Sequence, residues 1–277
     1  MAAALLGVPA ARPALAANVV LNSGNSSVTI DPTSTAGVED WTINGQNQLN
    51  QEWFWFRVGN QKGQSSLNSL GTPKVTPIGG DMAELAYGPS DGLQITVTYS
   101  LSGGQSSSKT SDLTDSIQIN NDSGQSEKIH FFEYANFNLG DSTTGQSVTI
   151  TDANTATVDG NGFQSQTVVS PTASDYDAMT YPKLLDDISS SSKSYTLSDT
   201  ATSLGDGEWG YEWTLTLPMC GSTVITGDSL ITGTTQVVPE PVSGPIAMLG
   251  LGGMFLSRPR RRDEDADHRS VVQVAEA

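Results

Sequence analysis

The stretch LQITVTYSL, at residues 93–101, alternates apolar and polar side chains at every position. A period of two places successive side chains on opposite faces, which predicts a β-strand with one face buried and the other in solvent. The stretch WGYEWTLTL, at residues 209–217, repeats the pattern with its apolar side chains at the odd positions. Two such strands in one chain favour an all-β fold.

A third stretch, QEWFWFRV at residues 51–58, is apolar on both faces. Its four consecutive aromatic side chains leave no polar side to turn towards water. Nearly continuous apolar runs are typical of strands that are covered on both faces. We therefore predict that this strand lies in the centre of a sheet, either covered on both sides or lining a groove.

Turn signals separate the predicted strands. Asn44-Gly45 is typical of a type I′ hairpin turn, and further Gly/Asn/Asp clusters occur at 103–104, 121–124 and 159–162. Only residues 181–188 suggest a helical turn, and no repeat of fixed period is visible. The sequence therefore predicts a single β-sandwich or jelly-roll-like domain over residues 18–236.

The chain has 277 residues and a net charge of −17, with hydrophobic residues at 36% and charged residues at only 16%. Residues 18–239 hold seven basic and 24 acidic residues. Such a surface repels phosphate groups, which argues against a nucleic-acid partner. The one cysteine, Cys220, allows no intramolecular disulfide, and we expect it to be a small buried side chain.

Residues 1–17 have features of a secretory signal peptide. A short apolar run is followed by small residues at Ala14 and Ala16, which form an A-x-A cleavage site. No basic residue precedes the apolar run, so we interpret the segment as the remnant of a signal peptide. The sequence therefore predicts export, with cleavage just after Ala16 or Ala17.

Three features follow one another in the last part of the chain. Pro239-Glu240-Pro241 holds the backbone extended, because proline fixes its own φ and restricts the residue before it. The stretch 242–257 carries no charge, and as a helix it measures about 24 Å, slightly less than a hydrocarbon core of about 30 Å. We predict that it forms a short transmembrane helix. Basic residues that favour the cytoplasmic side come next, at Arg260, Arg261 and Arg262.

This order of features resembles the PEP-CTERM sorting signal over residues 237–262. The resemblance implies export, transient tethering in the inner membrane and processing by an exosortase-type membrane enzyme that recognises Pro239, Glu240 and Pro241. Proteins with this signal usually come from Gram-negative bacteria that make extracellular polysaccharide. The resemblance thus implies a place at the cell surface or outside the cell. The acidic tail at 263–277 departs from the usual pattern, in which the chain ends soon after the arginines.

Candidate catalytic residues are sparse. His130 is the only histidine of the body and lies in a strand-like pattern, so we interpret it as a packed residue rather than a base. One histidine also argues against zinc or copper sites. Glu208 and Glu212 share a strand face, but four residues separate them by about 13 Å, which is too far for a glycosidase pair. We therefore expect no catalytic activity, no metal and no cofactor.

Two binding alternatives stay open. The first is stacking on sugar rings, if some of the tryptophans face outward, although tryptophans in β-sandwiches are more often in the core; the candidates are Trp53, Trp55, Trp209 and Trp213. The second is calcium binding at 152–163, which carries four oxygen-bearing side chains but lacks the glycine and the bidentate glutamate of an EF-hand loop. Turn chemistry explains that segment equally well.

The sequence as a whole predicts an exported structural protein of the cell surface or extracellular matrix, as in a biofilm, associated with exopolysaccharide. A carbohydrate-binding module is the alternative, and a glycoside-active enzyme comes after it. Exposed tryptophans in a groove would favour binding. Two carboxylates facing each other across a cleft would favour hydrolysis.

Overall fold

The computed structural model describes residues 17–89 and 92–234. Strands make up nearly all of its regular structure, and they form two nine-stranded sheets that share one apolar core. The predicted all-β sandwich is thereby confirmed. The described helices are a 3₁₀ turn at Leu67–Leu70 and the short helix α1 at Lys183–Ile188, which agrees with the helical turn predicted over 181–188.

The strands have the following bounds in chain order: β1 (Val19–Ser23), β2 (Ser26–Asp31), β3 (Gly37–Ile43), β4 (Gln46–Asn47), β5 (Leu49–Val58), β6 (Ser65–Ser66), β7 (Lys74–Pro77), β8 (Met82–Tyr87), β9 (Leu93–Gly103), β10 (Thr110–Asn121), β11 (Glu127–Phe137), β12 (Gln146–Asp152), β13 (Thr155–Gly160), β14 (Phe163–Ser170), β15 (Asp175–Thr180), β16 (Thr202–Gly205), β17 (Gly207–Leu217) and β18 (Gly221–Gly233).

Sheet A has the strand order β1-β2-β3-β5-β11-β17-β15, with β4 beside β3 and β6 beside β5. Sheet B has the order β16-β12-β13-β14-β18-β10-β9-β8-β7. Neighbouring strands are antiparallel except for β3 and β5, which make a short parallel pairing. The order brings β5, β11 and β17 together in the middle of sheet A, although long stretches of sequence separate them.

The alternating stretches behave as their patterns predict. In β9, Ile95, Val97 and Tyr99 are at most 1% exposed, while the residues between them face the other side of sheet B. A shift of one residue in register would move all the apolar side chains to the solvent side. Burial of apolar area at roughly 25 cal/mol per Å² therefore fixes the register as well as the strand.

The strand β5 is central, as its two apolar faces predict. It lies between β3 and β11, and all residues from Glu52 to Arg57 are buried. The outer face of sheet A, which points away from sheet B, is covered by α1 and by residues 189–200. Leu184 and Ile188 pack over Gly210 of β17, where an added Cβ would come within 3.3 and 3.5 Å of their side chains.

Two turns were the subject of predictions, of which one is confirmed and the other is corrected. Asn44 and Gly45 have φ values of 52° and 78°, as the predicted type I′ hairpin requires. Cys220, which we predict to be buried, is exposed. It lies in the tight turn between β17 and β18 with a φ of 57°. The turn directs its short side chain away from the core.

Several predictions concern residues outside the described ranges: the signal peptide with Ala14 and Ala16, the span at 242–257, the tail at 263–277, and the sorting residues Pro239, Glu240, Pro241, Arg260, Arg261 and Arg262. Among the residues that are described, none of the helices has the length and apolar character that a membrane crossing requires.

Candidate functional site

A row of polar side chains crosses the middle of sheet A. The antiparallel register places His130 of β11 directly between Arg57 of β5 and Thr214 of β17. Glu212 precedes Thr214 by two residues, so it lies on the same face. Three segments that are far apart in the sequence thus contribute adjacent side chains to one place.

His130 and Glu212 form the closest pair in this row. The Nδ1 atom of His130 lies 2.7 Å from Oε1 of Glu212, and 3.2 Å from the hydroxyl of Thr214. The guanidinium of Arg57 approaches the same carboxylate oxygen at 4.0 Å. The backbone N–H of Leu197 donates to the other oxygen of Glu212 at 3.0 Å. Every partner of the carboxylate therefore has a defined position.

Burial shifts both members of the pair towards their neutral forms. Burial raises the pKa of Glu212 to about 7, and Asp175 acts in the same direction, whereas the Leu197 N–H and the Arg57 charge act against it. Burial lowers the pKa of His130 to about 4, and Arg57 and Lys128 lower it further. The close contact therefore holds a single proton near neutral pH, carried either by the carboxyl or by Nδ1. This is an acid–base pair rather than a fixed ion pair.

Solvent reaches the pair at only one end. His130 is 8% exposed and Glu212 is fully buried, whereas Thr214 and Lys128 beside them are exposed. The Nδ1 atom makes both hydrogen bonds of the imidazole to the described residues. The imidazole is thus the member of the pair that an external molecule would meet.

Glu208 occupies a second position on the same face of β17. Its Oε2 atom accepts a hydrogen bond of 2.7 Å from the Tyr134 hydroxyl, and its Oε1 atom accepts one from the backbone N–H of Leu184. Burial raises its pKa, while these two hydrogen bonds oppose the rise. Four strand residues separate Glu208 from Glu212, or about 13 Å. The two carboxylates therefore do not form a hydrolytic pair.

Carboxylates also attach the covering segment, residues 184–200 on the outer face of sheet A, to the strands beneath it. Glu208 and Glu212 each accept a backbone N–H from it, as described above. Asp177 of β15, which is fully buried, accepts hydrogen bonds from Tyr195, Ser198 and Thr200 at 2.9–3.0 Å. Buried carboxylates need such partners. The segment from Leu184 to Thr200 is thus held down at three points.

The four candidate tryptophans do not form an open stacking surface. Trp53, Trp55, Trp209 and Trp213 are each at most 1% exposed. They pack against other aromatic rings: Trp55 against Tyr134, for example, with ring centroids 5.9 Å apart. Their large apolar area explains this position. The proposed stacking of sugars on them is corrected accordingly, because no ring face is open to an external sugar.

The calcium candidate is divided by a strand. Asp152 ends β12 and Asn154 lies in the turn before β13, whereas Asp159 lies near the end of β13 and Asn161 in the turn after it. Six strand residues separate the two ends by about 20 Å. Within residues 17–89 and 92–234, no group of three or more His, Cys, Asp or Glu side chains is arranged to hold a metal ion.

A second carboxyl cluster lies between the two sheets. Glu52, Asp115 and Glu133 are at most 3% exposed, and one oxygen of each has no hydrogen-bond partner among the described residues. Burial raises the pKa of Asp115 to about 7, and it raises those of Glu52 and Glu133 well above their ordinary values. These groups are sealed from solvent, so we assign them no chemistry.

Sequence reasoning identified the strands of the site but missed its main contact. The strand around His130 and the strand face that Glu208 and Glu212 share agree with the sequence patterns. The interpretation of His130 as a packed residue did not include its contact with Glu212. However, a single sequence does not reveal that β11 and β17 are neighbours, so the pair could not be found. The unusual occurrence of a glutamate between Tyr211 and Trp213 was the available signal, since a carboxylate that is buried needs a partner.

No protein-family model and no curated protein sequence matches this chain. Solved structures match it in fold. A candidate aldose 1-epimerase from Escherichia coli K12 has a TM-score of 0.55 at 10% identity, covering 78% of this chain and 99% of its own. A galactose mutarotase-like protein from Lactobacillus casei ATCC 334 has a TM-score of 0.51 at 8% identity, covering 78% and 100%. At such identities the likeness is one of fold.

A bacterial glucoamylase complexed with acarbose matches with a TM-score of 0.57 at 9% identity. The match covers 79% of this chain but only 33% of the glucoamylase, so this chain spans about a third of that protein. The prediction that the chain is not an enzyme is wrong as it stands, because its neighbours in fold include a candidate aldose 1-epimerase, a galactose mutarotase-like protein and a glucoamylase. The fold is one that carbohydrate-active proteins use.

Proposed function

We propose that this protein is a carbohydrate-active enzyme that transfers protons on a saccharide, with His130 and Glu212 as its acid–base pair. The observation that carries the proposal is the 2.7 Å contact between these two side chains. Burial brings the pKa of Glu212 to about 7, which is where a general acid or base is most effective. The fold shared with epimerase-like and mutarotase-like proteins supports the same class of substrate.

The geometry favours proton transfer at the anomeric centre over hydrolysis. Hydrolysis of a glycosidic bond requires two carboxyl groups about 5.5 Å or up to about 9.5 Å apart, whereas Glu208 and Glu212 are about 13 Å apart. Opening and closing of a sugar ring requires only that a proton leave the anomeric hydroxyl and that one reach the ring oxygen. The imidazole of His130 accepts the proton of the anomeric hydroxyl while its own Nδ1 proton passes to Glu212. When Glu212 returns that proton to Nδ1, the imidazole releases a proton to the ring oxygen.

Interconversion of anomers tests this function directly. Magnetisation exchange between the α and β anomers of a panel of aldoses gives the rate with and without the protein. We expect exchange to accelerate in proportion to protein concentration for at least one aldose, with no release of new reducing ends from oligosaccharides. Release of reducing ends without accelerated exchange would show that the protein is a hydrolase and contradict the proposal.

The destination of the protein is a separate proposal, which rests on the sequence resemblance. We infer that the chain is exported, is tethered in the inner membrane and is processed by an exosortase-type enzyme before it reaches the cell surface or the extracellular polysaccharide. Replacing Pro239, Glu240 and Pro241 by alanine should leave the protein in the inner-membrane fraction. Normal release of that variant would contradict the sorting proposal and leave the catalytic proposal untouched.

A further inference from the structure

A polar groove lies on the outer face of sheet A, beside α1. Its volume is about 480 Å³, which is within the range of small-molecule sites. One wall is the turn after β2 together with the start of β5, and the opposite wall is α1 with the residue before its cap. The polar and aromatic side chains that line these walls are Ser34, Thr35, Asn50, Gln51, Tyr181, Asp186 and Ser189.

The composition of the groove matches the chemistry of a sugar. Hydroxyl and amide groups can donate and accept hydrogen bonds to sugar hydroxyls. Tyr181 is 39% exposed, so part of its ring is available as an apolar surface for the C–H side of a sugar. Among the described residues that line the walls, Asp186 is the one charged side chain, and none is a lysine or an arginine. A saccharide carrying carboxylate groups would therefore meet a negative charge without a compensating cation.

The groove and the acid–base pair lie on the same face of the sheet. Trp55 forms part of the groove floor, and its register partner on β11 is Phe132, which in turn lies opposite Glu212. Two strand spacings of about 4.8 Å place Glu212 about 10 Å from Trp55. Gln51 lies opposite Asn136, six strand residues from the row of Arg57 and His130, so this wall of the groove is about 20 Å from the imidazole. Trp55 also packs edge-on against Tyr134, whose hydroxyl holds Glu208.

We propose that this groove binds a neutral oligosaccharide and so supplies a binding subsite on the same face of sheet A as the acid–base pair, about 20 Å from the imidazole. The inference rests on the proposed carbohydrate activity. It adds the place where the substrate binds and the charge of that substrate. Tyr181 provides the stacking surface. The Nε2 atom of Gln51 donates to the Thr35 carbonyl, so its Oε1 atom, like the carboxylate of Asp186, accepts hydrogen bonds from the sugar hydroxyl groups. Neutral sugars are favoured because no lysine or arginine among the described lining residues could pair with the carboxylate of an acidic sugar.

Isothermal titration of the whole protein with maltotetraose, cellotetraose and mannotetraose tests the groove, with trigalacturonate as the acidic comparison. We expect at least one neutral tetrasaccharide to bind, and trigalacturonate to bind at least tenfold more weakly. Tyr181→Ala and Gln51→Ala should each weaken the neutral ligand at least tenfold. Tyr181→Phe keeps the ring and should stay within twofold of the wild type. Gln118→Ala, an exposed glutamine on the outer face of sheet B, is the matched control for Gln51→Ala.

The outcomes separate this inference from the proposed activity. If no neutral tetrasaccharide binds, or if Tyr181→Ala and Gln51→Ala leave binding unchanged, the groove is not the subsite. Anomer exchange that still depends on Glu212 would then show that the activity stands without it. Conversely, if the protein binds a tetrasaccharide through Tyr181 but does not accelerate anomer exchange, the proposed activity is wrong and the proposed binding groove stands.

Discussion

At the scale of single residues, Arg57 is one of the charges that affect how the proton is shared between His130 and Glu212. Its guanidinium lies 4.0 Å from the carboxylate, where a positive charge favours the ionised carboxyl and disfavours the protonated imidazole. Arg57 is 7% exposed, so solvent screens this interaction less than it would on the surface. The charge of Arg57 thus lowers the pKa of Glu212 against the larger, opposite effect of burial.

Replacing Arg57 by glutamine should move the pH dependence of the activity. With the positive charge removed, the pKa of Glu212 rises above its value of about 7, so the activity that requires the carboxylate should appear at higher pH. We expect the midpoint of the ascending limb to shift by about one pH unit to the alkaline side. The measurement is the rate of anomer exchange from pH 5 to 9, with Lys62→Gln as the control for loss of an exposed positive charge. An unchanged midpoint would show that Arg57 does not face the reacting carboxylate.

The residue scale also shows a limit of sequence reasoning. That Glu212 lies on a strand face follows from the alternation around it. That it is buried does not, because the covering segment begins 28 residues earlier in the chain. The tryptophans show the converse, since large apolar side chains in alternating strands are in the core by default.

At the scale of elements, the covering segment with α1 depends on the carboxylates of the strands beneath it. Six residues are too few for a helix that is stable alone. The helix α1 is held instead by the packing of Leu184 and Ile188 over Gly210 and by the Leu184 N–H, which donates to Glu208. Loss of that acceptor leaves a buried N–H without a partner, which costs about 1–3 kcal/mol.

Glu208→Ala should therefore loosen α1 without unfolding the sandwich. We expect amide hydrogen exchange over residues 183–189 to accelerate at least tenfold, while exchange in β9 and β10 stays unchanged. Glu208→Gln retains a carbonyl acceptor for the Leu184 N–H and should restore most of the protection. Equal protection in wild type and Glu208→Ala would show that packing alone holds the helix.

The elements themselves were predictable to different degrees. Alternation located β9 and β17, and the two apolar faces of β5 correctly predicted a central strand. The order of strands in the sheets was not predictable, because β5, β11 and β17 pair across separations of more than 60 residues. Local propensity carries no information on such pairings.

At the scale of the whole molecule, three carboxyl groups in the core make the stability depend on pH. Glu52, Asp115 and Glu133 lie between the sheets together with the hydroxyl of Tyr99, and Asp228 adds its charge near Asp115. In the unfolded chain these carboxyls ionise at ordinary pKa values near 4. In the folded protein they retain their protons to higher pH, to about 7 for Asp115.

The sign of the effect follows from linkage. A raised pKa in the folded state gives stability that is fully present below pH 4 and is lost as the pH rises through the folded pKa. For each such group the free energy of unfolding falls by about 1.4 kcal/mol per pH unit in that window. We therefore expect the contribution of these three carboxyls to decline from pH 4 to pH 7 and above.

Replacing Glu133 by glutamine isolates the contribution of one of these carboxyls to the pH dependence of stability. The amide cannot ionise, so urea unfolding should show a higher free energy of unfolding than the wild type at pH 8 and a smaller difference at pH 5. Glu127→Gln removes a half-buried carboxyl of the same strand and should change neither. A Glu133→Gln protein that is less stable than the wild type at pH 8 would show that the carboxyl is charged and stabilised in the core.

The class of the fold was predictable from the sequence, but its likeness to known structures was not. Composition and alternation favoured an all-β sandwich, and two nine-stranded sheets were found. The likeness to epimerase-like and glucoamylase structures occurs at 8–10% identity, where the same fold is encoded by different core residues. For that reason the sequence pattern alone does not reveal the likeness in fold that supports the proposal of a carbohydrate-active enzyme.

The central claim is that the His130–Glu212 pair performs proton transfer on a sugar. The most direct measurement compares anomer exchange rates at pH 7 for the wild type, His130→Gln, Glu212→Gln and the control Glu127→Gln, with folding verified by the thermal unfolding midpoint. Loss of general acid–base catalysis typically lowers a rate by about 10²–10⁴-fold. We predict losses in that range for His130→Gln and Glu212→Gln and none for Glu127→Gln. Wild-type exchange at the rate of buffer alone, or full activity in the two site variants, would contradict the claim.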